Sequence, residues 1–101
     1  MTKDELSAWA LASGWVAIDG HPSLSRAGRP NEAVVRLVLK ATVAHVEARK
    51  PAGNKWEKVA GASYGEITAD PEGGLPRGLG LERVPSLSRL MQDNRDARVF
   101  L

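Results

Sequence analysis

The longest apolar pattern in the chain runs through residues 33–50, where Val35, Leu37 and Leu39 occupy alternate positions. A period of two places side chains on one face of a strand. The same residues include six β-branched side chains, which fit a pleated surface better than a helix. The pattern therefore favours a strand over residues 33–50.

A helix is the alternative for these residues. Asn31 could cap its N-terminus, and the proline at position 51 could end it. Glu32, Arg36 and Lys40 also recur at every fourth position, which would place them along one polar edge of a helix. The choice therefore depends on what the next segment can pair with.

Residues 55–68 favour the strand because they supply a partner for it. Aromatic and β-branched residues recur there, and Gly61 and Gly65 would weaken a helix. The residues between the two segments, Pro-Ala-Gly-Asn at 51–54, are turn formers. We therefore predict a long antiparallel β-hairpin with arms at about 33–50 and 55–68.

The register of this hairpin follows if Lys50 faces Lys55, because antiparallel partners keep a constant sum of residue numbers. Glu47 then faces Lys58 as a favourable cross-strand charge pair. The same register places Val46 opposite Val59, Val38 opposite Ile67, and Arg49 over Trp56 in a cation–π contact. From Ala44 onward the apolar positions change face, which predicts a bulge or a strong twist.

Two helices complete the predicted architecture. Thr2 and Glu5 have the spacing of a capping box, which predicts an N-terminal helix over about 3–13 that ends before Gly14. Pro85 and the apolar residues after it predict a short C-terminal helix over about 85–93. A small antiparallel sheet with helices packed against it defines the α+β class. At this length we expect one domain over 1–101.

The remaining segments are assigned from their turn-forming residues. Residues 15–19 are a short strand candidate, and residues 22–31, rich in proline, serine, glycine and arginine, predict an exposed loop. Residues 93–96 are predicted to form a turn, and residues 99–101 a last short strand or an apolar tail.

Charge is distributed unevenly along the chain. The net charge is only +2, but residues 26–58 hold eight basic and three acidic side chains. No apolar run approaches the roughly 20 residues that a bilayer crossing needs, so we expect no membrane association. The chain has no cysteine and its first residues lack the order of a secretory signal, which predicts a cytoplasmic protein.

Candidate chemistry is sparse in this sequence. His21 and His45 are the only histidines, and neither stands at a metal-ligand spacing. Gly78 and Gly80 lack the lysine and hydroxyl residue that a phosphate-binding loop requires. We therefore predict a non-enzymatic protein with no catalytic residues, no metal site and no cofactor.

Two functional hypotheses follow. The first is a small protein-interaction module, self-associating through the hairpin sheet or binding a protein partner, because residues 33–67 carry apolar side chains on both predicted faces. The alternative is a nucleic-acid-binding protein that uses the basic hairpin tip and the arginine-containing loop. The candidate contact residues for either partner are Arg26, Arg29, Arg49, Lys50, Lys55, Trp56 and Lys58.

Overall fold

The computed structural model describes residues 1–50 and 52–99, with the backbone alone at residues 98 and 99. Helices α1 and α2 span Lys3–Ala12 and Leu87–Val99, strands β1 to β5 span Val16–Ile18, His21–Arg26, Arg29–Leu39, Val43–Ala48 and Glu57–Ser63, and short 3₁₀ helices span Tyr64–Glu66 and Leu81–Arg83. Neither α1 nor α2 has the length and apolar character that a membrane crossing requires.

The five strands form one antiparallel sheet in the order β1-β2-β3-β4-β5, so each strand pairs with its neighbours in sequence. The N-terminal helix α1 packs against β1 and β2, and the C-terminal helix α2 packs against β2. An antiparallel sheet with separate helices is an α+β fold. The predicted fold class is therefore confirmed.

Helix α1 begins where the sequence predicts it. The Thr2 hydroxyl accepts a hydrogen bond from the Glu5 backbone N–H at 3.1 Å, and the Glu5 carboxylate accepts one from the Thr2 N–H at 2.8 Å. Both halves of the capping box are thus formed. Gly14 follows the helix with a φ of +100°, a conformation that favours glycine and ends a helix. Leu6 and Ala10 are fully buried on the face that meets the sheet.

Residues 33–50 do not form one long arm, and this part of the predicted hairpin is wrong. The chain turns back after β3, and Leu39 pairs with Ala44 at the start of β4. Val38 consequently lies beside β4 instead of facing Ile67. The change of face in the apolar pattern therefore marks a tight turn between two shorter strands. This turn contains no glycine or proline to reveal it.

Strands β4 and β5 do form an antiparallel pair, although a shorter one than predicted. Glu47 faces Lys58, as in the predicted register. One residue further, Val59 is an extra residue in β5, so Val46 faces Ala60. The extra residue is a β-bulge, which shifts all later pairs by one position. The proline of the predicted turn lies outside the described residues.

Residues 22–31 form strand backbone around a tight turn, contrary to the predicted exposed loop. Ser23 and Ser25 are buried in β2. The Ser23 hydroxyl donates to the His21 carbonyl at 2.9 Å, and the Ser25 hydroxyl donates to the Pro30 carbonyl at 2.8 Å. Short serine side chains can form hydrogen bonds to nearby backbone carbonyls, so a strand with this polar composition can be buried.

Helix α2 is longer than predicted. It begins at Leu87 and continues through residues 93–96, where the sequence suggests a turn. The Asn94 side chain accepts a hydrogen bond from the Ser25 N–H at 3.0 Å and donates one to the Ser25 carbonyl at 2.9 Å. This buried pair of bonds ties the helix to β2 at the point of the predicted turn. Val99 ends α2, and the last two residues of the predicted tail lie outside the described part.

The two faces of the sheet have different cover. On the helix-bearing face, Leu37 and Val46 face each other across β3 and β4 and are fully buried. The same buried cluster includes Leu6, Ala10, Trp15, Leu24, Ile67, Leu79, Leu81, Val84, Leu87 and Met91. On the opposite face, called the open face here, one row crosses all five strands through Val16, Ser23, Arg36, Glu47 and Lys58.

Candidate functional site

A groove with a volume of about 610 Å³ lies at one end of the helix-bearing face. Its apolar lining consists of a floor on the sheet, formed by Val34, Val35, Ala48 and Val59, and of Val84 and Leu90 on the opposite wall. Its rim is charged and consists of Arg26, Arg49, Lys50, Lys55 and Glu57. The term groove refers to these residues from here on.

Two β-bulges shape the floor. In β3, Val34 is an extra residue, because Leu24 pairs with Val35 while Ser25 pairs with Ala33. In β5 the extra residue is Val59. A bulge re-aims the side chain of the extra residue, which no longer alternates with its neighbours. Both bulged valines line the groove, so the bulges enlarge its apolar floor.

The wall opposite the sheet is the chain just before and within the first turn of α2. Val84 is buried, and Leu90 is half-buried. Ser86 has a φ of +58°, which is uncommon for a residue other than glycine. The Leu90 N–H donates to the Ser86 carbonyl at 3.0 Å. This wall is therefore anchored to the start of the helix.

Arg49 is held at the rim by two contacts. Its Nε donates to the Ala33 carbonyl oxygen at 2.7 Å, and its guanidinium carbon lies 4.6 Å from the Trp56 ring centroid. The predicted cation–π contact between Arg49 and Trp56 is thus confirmed. Arg36 approaches the same ring to 4.2 Å. The Nη atoms of Arg49 make no hydrogen bond to another described residue, so they remain donors for a bound group.

Four cations and one carboxylate line the groove, which gives a formal charge of +3. Arg26, Lys50 and Lys55 are exposed. The ion pairs among the described residues join Arg29 to Glu32 and Arg36 to Glu47, so none of them neutralises a rim cation. A cluster of one sign beside a low-dielectric wall attracts groups of the opposite sign.

The structure places the predicted contact residues in three parts of the molecule. The groove brings together Arg26, Arg49, Lys50 and Lys55. Trp56 is not part of the groove lining, and its ring lies against Arg49 and against Arg36 of the open face. Arg29 lies at the turn between β2 and β3, 3.4 Å from Glu32. Lys58 lies on the open face opposite Glu47. The predicted patch is therefore divided between the groove and two other places.

The apolar floor is the part of the site that the sequence analysis missed. The sequence analysis predicted a bulge or strong twist from Ala44 onward, but none at Val34 or Val59. A signal was present, because each valine has an apolar neighbour, at Val35 and Ala60, where strict alternation requires a polar one. Leu90 and the rest of the opposite wall come from a distant stretch of the chain, so only the fold shows that they meet the sheet.

The open face combines an ion pair with apolar side chains such as Val16 and Val38. Its Arg36 binds Glu47 through Nε and Nη2, both 2.8 Å from Oε1. Among the large apolar side chains of the described residues, those classed as exposed are Leu11 and Val16, each 40% exposed. Neither residue lines the groove, and Val16 lies on the open face opposite Ser23.

His45 is the titratable residue on the open face with an altered pKa. Burial lowers the pKa of His45, the positive charges of Lys58 and Lys40 lower it further, and Glu47 opposes them. No group of three or more histidine, aspartate or glutamate side chains suited to a metal ion occurs within the part of the chain that the structure describes. The geometry of the groove indicates binding, with an apolar floor for an apolar side chain and rim donors for an anionic group.

Protein-family models, curated proteins and solved structures include no match to this chain. Its function is therefore inferred from the shape and charge of the groove.

Proposed function

We propose that the protein is a non-enzymatic interaction module that holds a segment of a partner protein in the groove. The observation that supports this is an apolar lining that is only half-buried at Ala48, Val59 and Leu90 and is bordered by Arg26, Arg49, Lys50 and Lys55. Apolar surface left open to water forgoes folding free energy that a bound partner recovers. A largely apolar lining with a few placed polar groups is also the usual composition of a binding site.

The size of the groove suits a short segment of chain. Its volume of about 610 Å³ lies within the usual range of binding pockets. Burial of one leucine or phenylalanine side chain contributes about 1.5–3 kcal/mol. A contact this small supports reversible binding, in which the rim matters as much as the floor.

Self-association through the sheet is another form of the interaction hypothesis, and the sheet edges disfavour it. Strand β1 has only three residues. Strand β5 carries Glu57 and Lys58 and a bulge at Val59. Short edge strands, charged side chains and bulges all discourage pairing with another chain. The groove is therefore the favoured contact surface.

Selection of random displayed peptides against the immobilised protein tests the proposal. Enriched peptides should lose binding to Ala48→Phe, whose ring fills the floor of the groove. They should still bind Ala62→Phe, because Ala62 is another half-buried alanine of the same sheet face and lies outside the groove. Circular dichroism checks that both variants fold.

Failure to enrich any peptide would contradict the proposal, and peptides that bind both variants equally would place the contact elsewhere. Light scattering over a concentration series measures whether the protein self-associates. We expect a monomer. A dimer that Ala48→Phe abolishes would make a second copy the occupant of the groove.

Nucleic-acid binding is the second candidate, and the cluster around Trp56 favours it. Arg36 and Arg49 lie against the ring, and Lys50 and Lys55 are near it along the chain. Cations around an aromatic side chain suit the backbone and bases of single strands. The ring is half-buried, however, and both guanidinium groups occupy it, which leaves less of its surface for a base.

A gel-retardation assay with single- and double-stranded DNA and RNA, at low and moderate salt, tests this candidate. Salt-sensitive binding that Lys55→Glu and Trp56→Ala weaken would support it. Lys40→Glu is the matched control, because Lys40 lies in the turn between β3 and β4, at the other end of β4 from Lys55 and Trp56. Absence of retardation at about 50 mM salt would remove the candidate.

A further inference from the structure

We infer that the segment bound in the groove is acidic, with carboxylate side chains on either side of one bulky apolar residue. This inference rests on the proposed function and specifies the chemistry of the partner. The groove combines an aliphatic floor with a rim of formal charge +3. Only a ligand that is both apolar and anionic satisfies both parts of this surface.

The apolar residue of the partner enters between the bulged strands and the start of α2. Val34 in the floor and Val84 in the opposite wall are almost fully buried, at 7% and 5% exposure. Ala48, at the centre, is small and half-buried, so it leaves depth above it. A leucine or phenylalanine side chain placed there contacts aliphatic groups on both walls.

The carboxylates of the partner meet the rim. Arg49 is pre-organised, because its Nε is bound to the Ala33 carbonyl and its guanidinium carbon lies over the Trp56 ring. Its remaining donors can hold a carboxylate without first losing side-chain freedom. Lys50 and Lys55 are exposed on the turn between β4 and β5 and add positive charge beside it.

Glu57 makes the charge along the rim uneven. It is the one acidic side chain in the groove lining and faces Ala48 across β4 and β5. A partner carboxylate placed next to Glu57 would be repelled. The acidic residues of the partner therefore lie toward Arg26, Arg49 and Lys50.

A nucleic acid would use the rim differently. Its phosphates would meet the cations, but they carry no aliphatic side chain for the floor formed around Ala48. Removal of the apolar residue from a protein ligand should abolish its binding, whereas a phosphate backbone should be insensitive to changes in the floor. This contrast separates the two classes of partner.

Fluorescence anisotropy with three labelled synthetic peptides tests the inference. The probe has a leucine flanked by glutamates, the second peptide has glutamine in place of each glutamate, and the third has alanine in place of the leucine. We expect each substituted peptide to bind at least about tenfold more weakly than the probe, because one lacks the charges and the other lacks the side chain that fills the floor.

Two double variants with the same change in net charge provide the control. Lys50→Glu with Lys55→Glu reverses charge at the rim and should weaken binding of the probe about tenfold. Lys40→Glu with Lys58→Glu reverses charge at residues outside the groove lining and should change it by less than about twofold. Glu57→Gln should strengthen binding of the probe.

Equal binding of the glutamate and glutamine peptides would overturn the inference, and so would equal effects of the two double variants. The proposed function would survive that result if displayed peptides still required an open floor at Ala48. If selected peptides bind the groove but contain no acidic residues, the acidic partner is wrong and the interaction module stands.

Discussion

Two neighbouring rows of residues on the helix-bearing face of the sheet differ in how deeply they are buried. The closed row consists of Leu37, Val46 and Ala60, and the groove row consists of Val35, Ala48 and Glu57. Every member of the closed row is buried. In the groove row, exposure rises from buried Val35 through half-buried Ala48 to exposed Glu57. The same strands and the same alternation thus produce core in one row and an accessible floor in the next.

The cover over each row explains the difference. Gly80 passes closely over the closed row, where a Cβ on it would lie 2.5 Å from the Cβ of Ala60. The chain then continues to Val84 and Ser86, which stand across the groove from Ala48. A sheet face therefore becomes core or binding surface according to the path of a later segment. Strand composition alone does not decide between them.

The largest expected effect comes from matched leucine truncations in the two environments. Leu37→Ala should lower the free energy of unfolding by about 2–5 kcal/mol, because it leaves a cavity in a fully buried site. Leu90→Ala, in the half-buried groove wall, should cost about 1 kcal/mol. Urea unfolding followed by circular dichroism measures both. Equal losses would show that the groove is packed as tightly as the core.

The next effect tests the cover itself through two glycines. Gly80→Ala should cost about 2 kcal/mol or more, since its φ is +93° and the new methyl group would meet Ala60. Gly73→Ala is the control, because its φ is +80° and no atom lies within 4 Å of the added Cβ. We expect the control to lose only about 1 kcal/mol, the cost of the backbone conformation.

Adding Ala60→Gly to Gly80→Ala sharpens this comparison. The double variant should recover the part of the loss that comes from the steric contact, which a double-mutant cycle measures. No coupling between the two positions would mean that the segment around Gly80 does not press on the closed row.

The local signals in the sequence were sufficient for α1. The capping residues Thr2 and Glu5 and the stop at Gly14 all lie within one helix, so their effect needs no knowledge of the rest of the chain. The pair Asp19 and Gly20 is an equally local signal, although residue 19 was assigned to the strand candidate before the turn. Both residues have positive φ and form the turn between β1 and β2, as this dipeptide favours.

The turn between β3 and β4 could not be recognised in the same way. Ala41 and Thr42 have no special turn chemistry, and the turn depends on Tyr64, whose hydroxyl donates to the Lys40 carbonyl at 2.6 Å and whose N–H donates to the Thr42 carbonyl at 3.4 Å. These are contacts between distant parts of the sequence. Tertiary structure therefore divides what local propensity presents as one strand.

The candidate site also combines residues that are close in sequence with residues that only the fold brings together. Charge density along the sequence was enough to single out Arg49, Lys50 and Lys55, because those residues are close together in the chain. The apolar lining required two bulges in the sheet and the approach of Leu90 from α2. A basic surface can be inferred from sequence, whereas a groove needs the register of the strands.

The smallest expected effect extends the comparison to the open face. Burial and then Lys58 and Lys40 lower the pKa of His45 in the folded protein, while Glu47 opposes them. The unfolded chain therefore binds the proton more tightly than the folded protein. The contribution of His45 to stability is present above pH 6.5, the ordinary pKa of histidine, and is lost as pH falls below that value. Thermal unfolding between about pH 7 and about pH 5 should show a smaller decrease in Tm for His45→Gln than for the native sequence. The same decrease in both would contradict this assignment.

The central claim is that binding occurs in the groove, and backbone amide NMR with the leucine–glutamate peptide tests it most directly. On titration of the ¹⁵N-labelled protein, we predict that the amide shifts change at Ala48, Val59 and Leu90, which line the groove. The amides of Val38 and His45, a facing pair on the open face, should remain unchanged. Shifts concentrated at Val38 and His45, with none at the groove residues, would contradict the account.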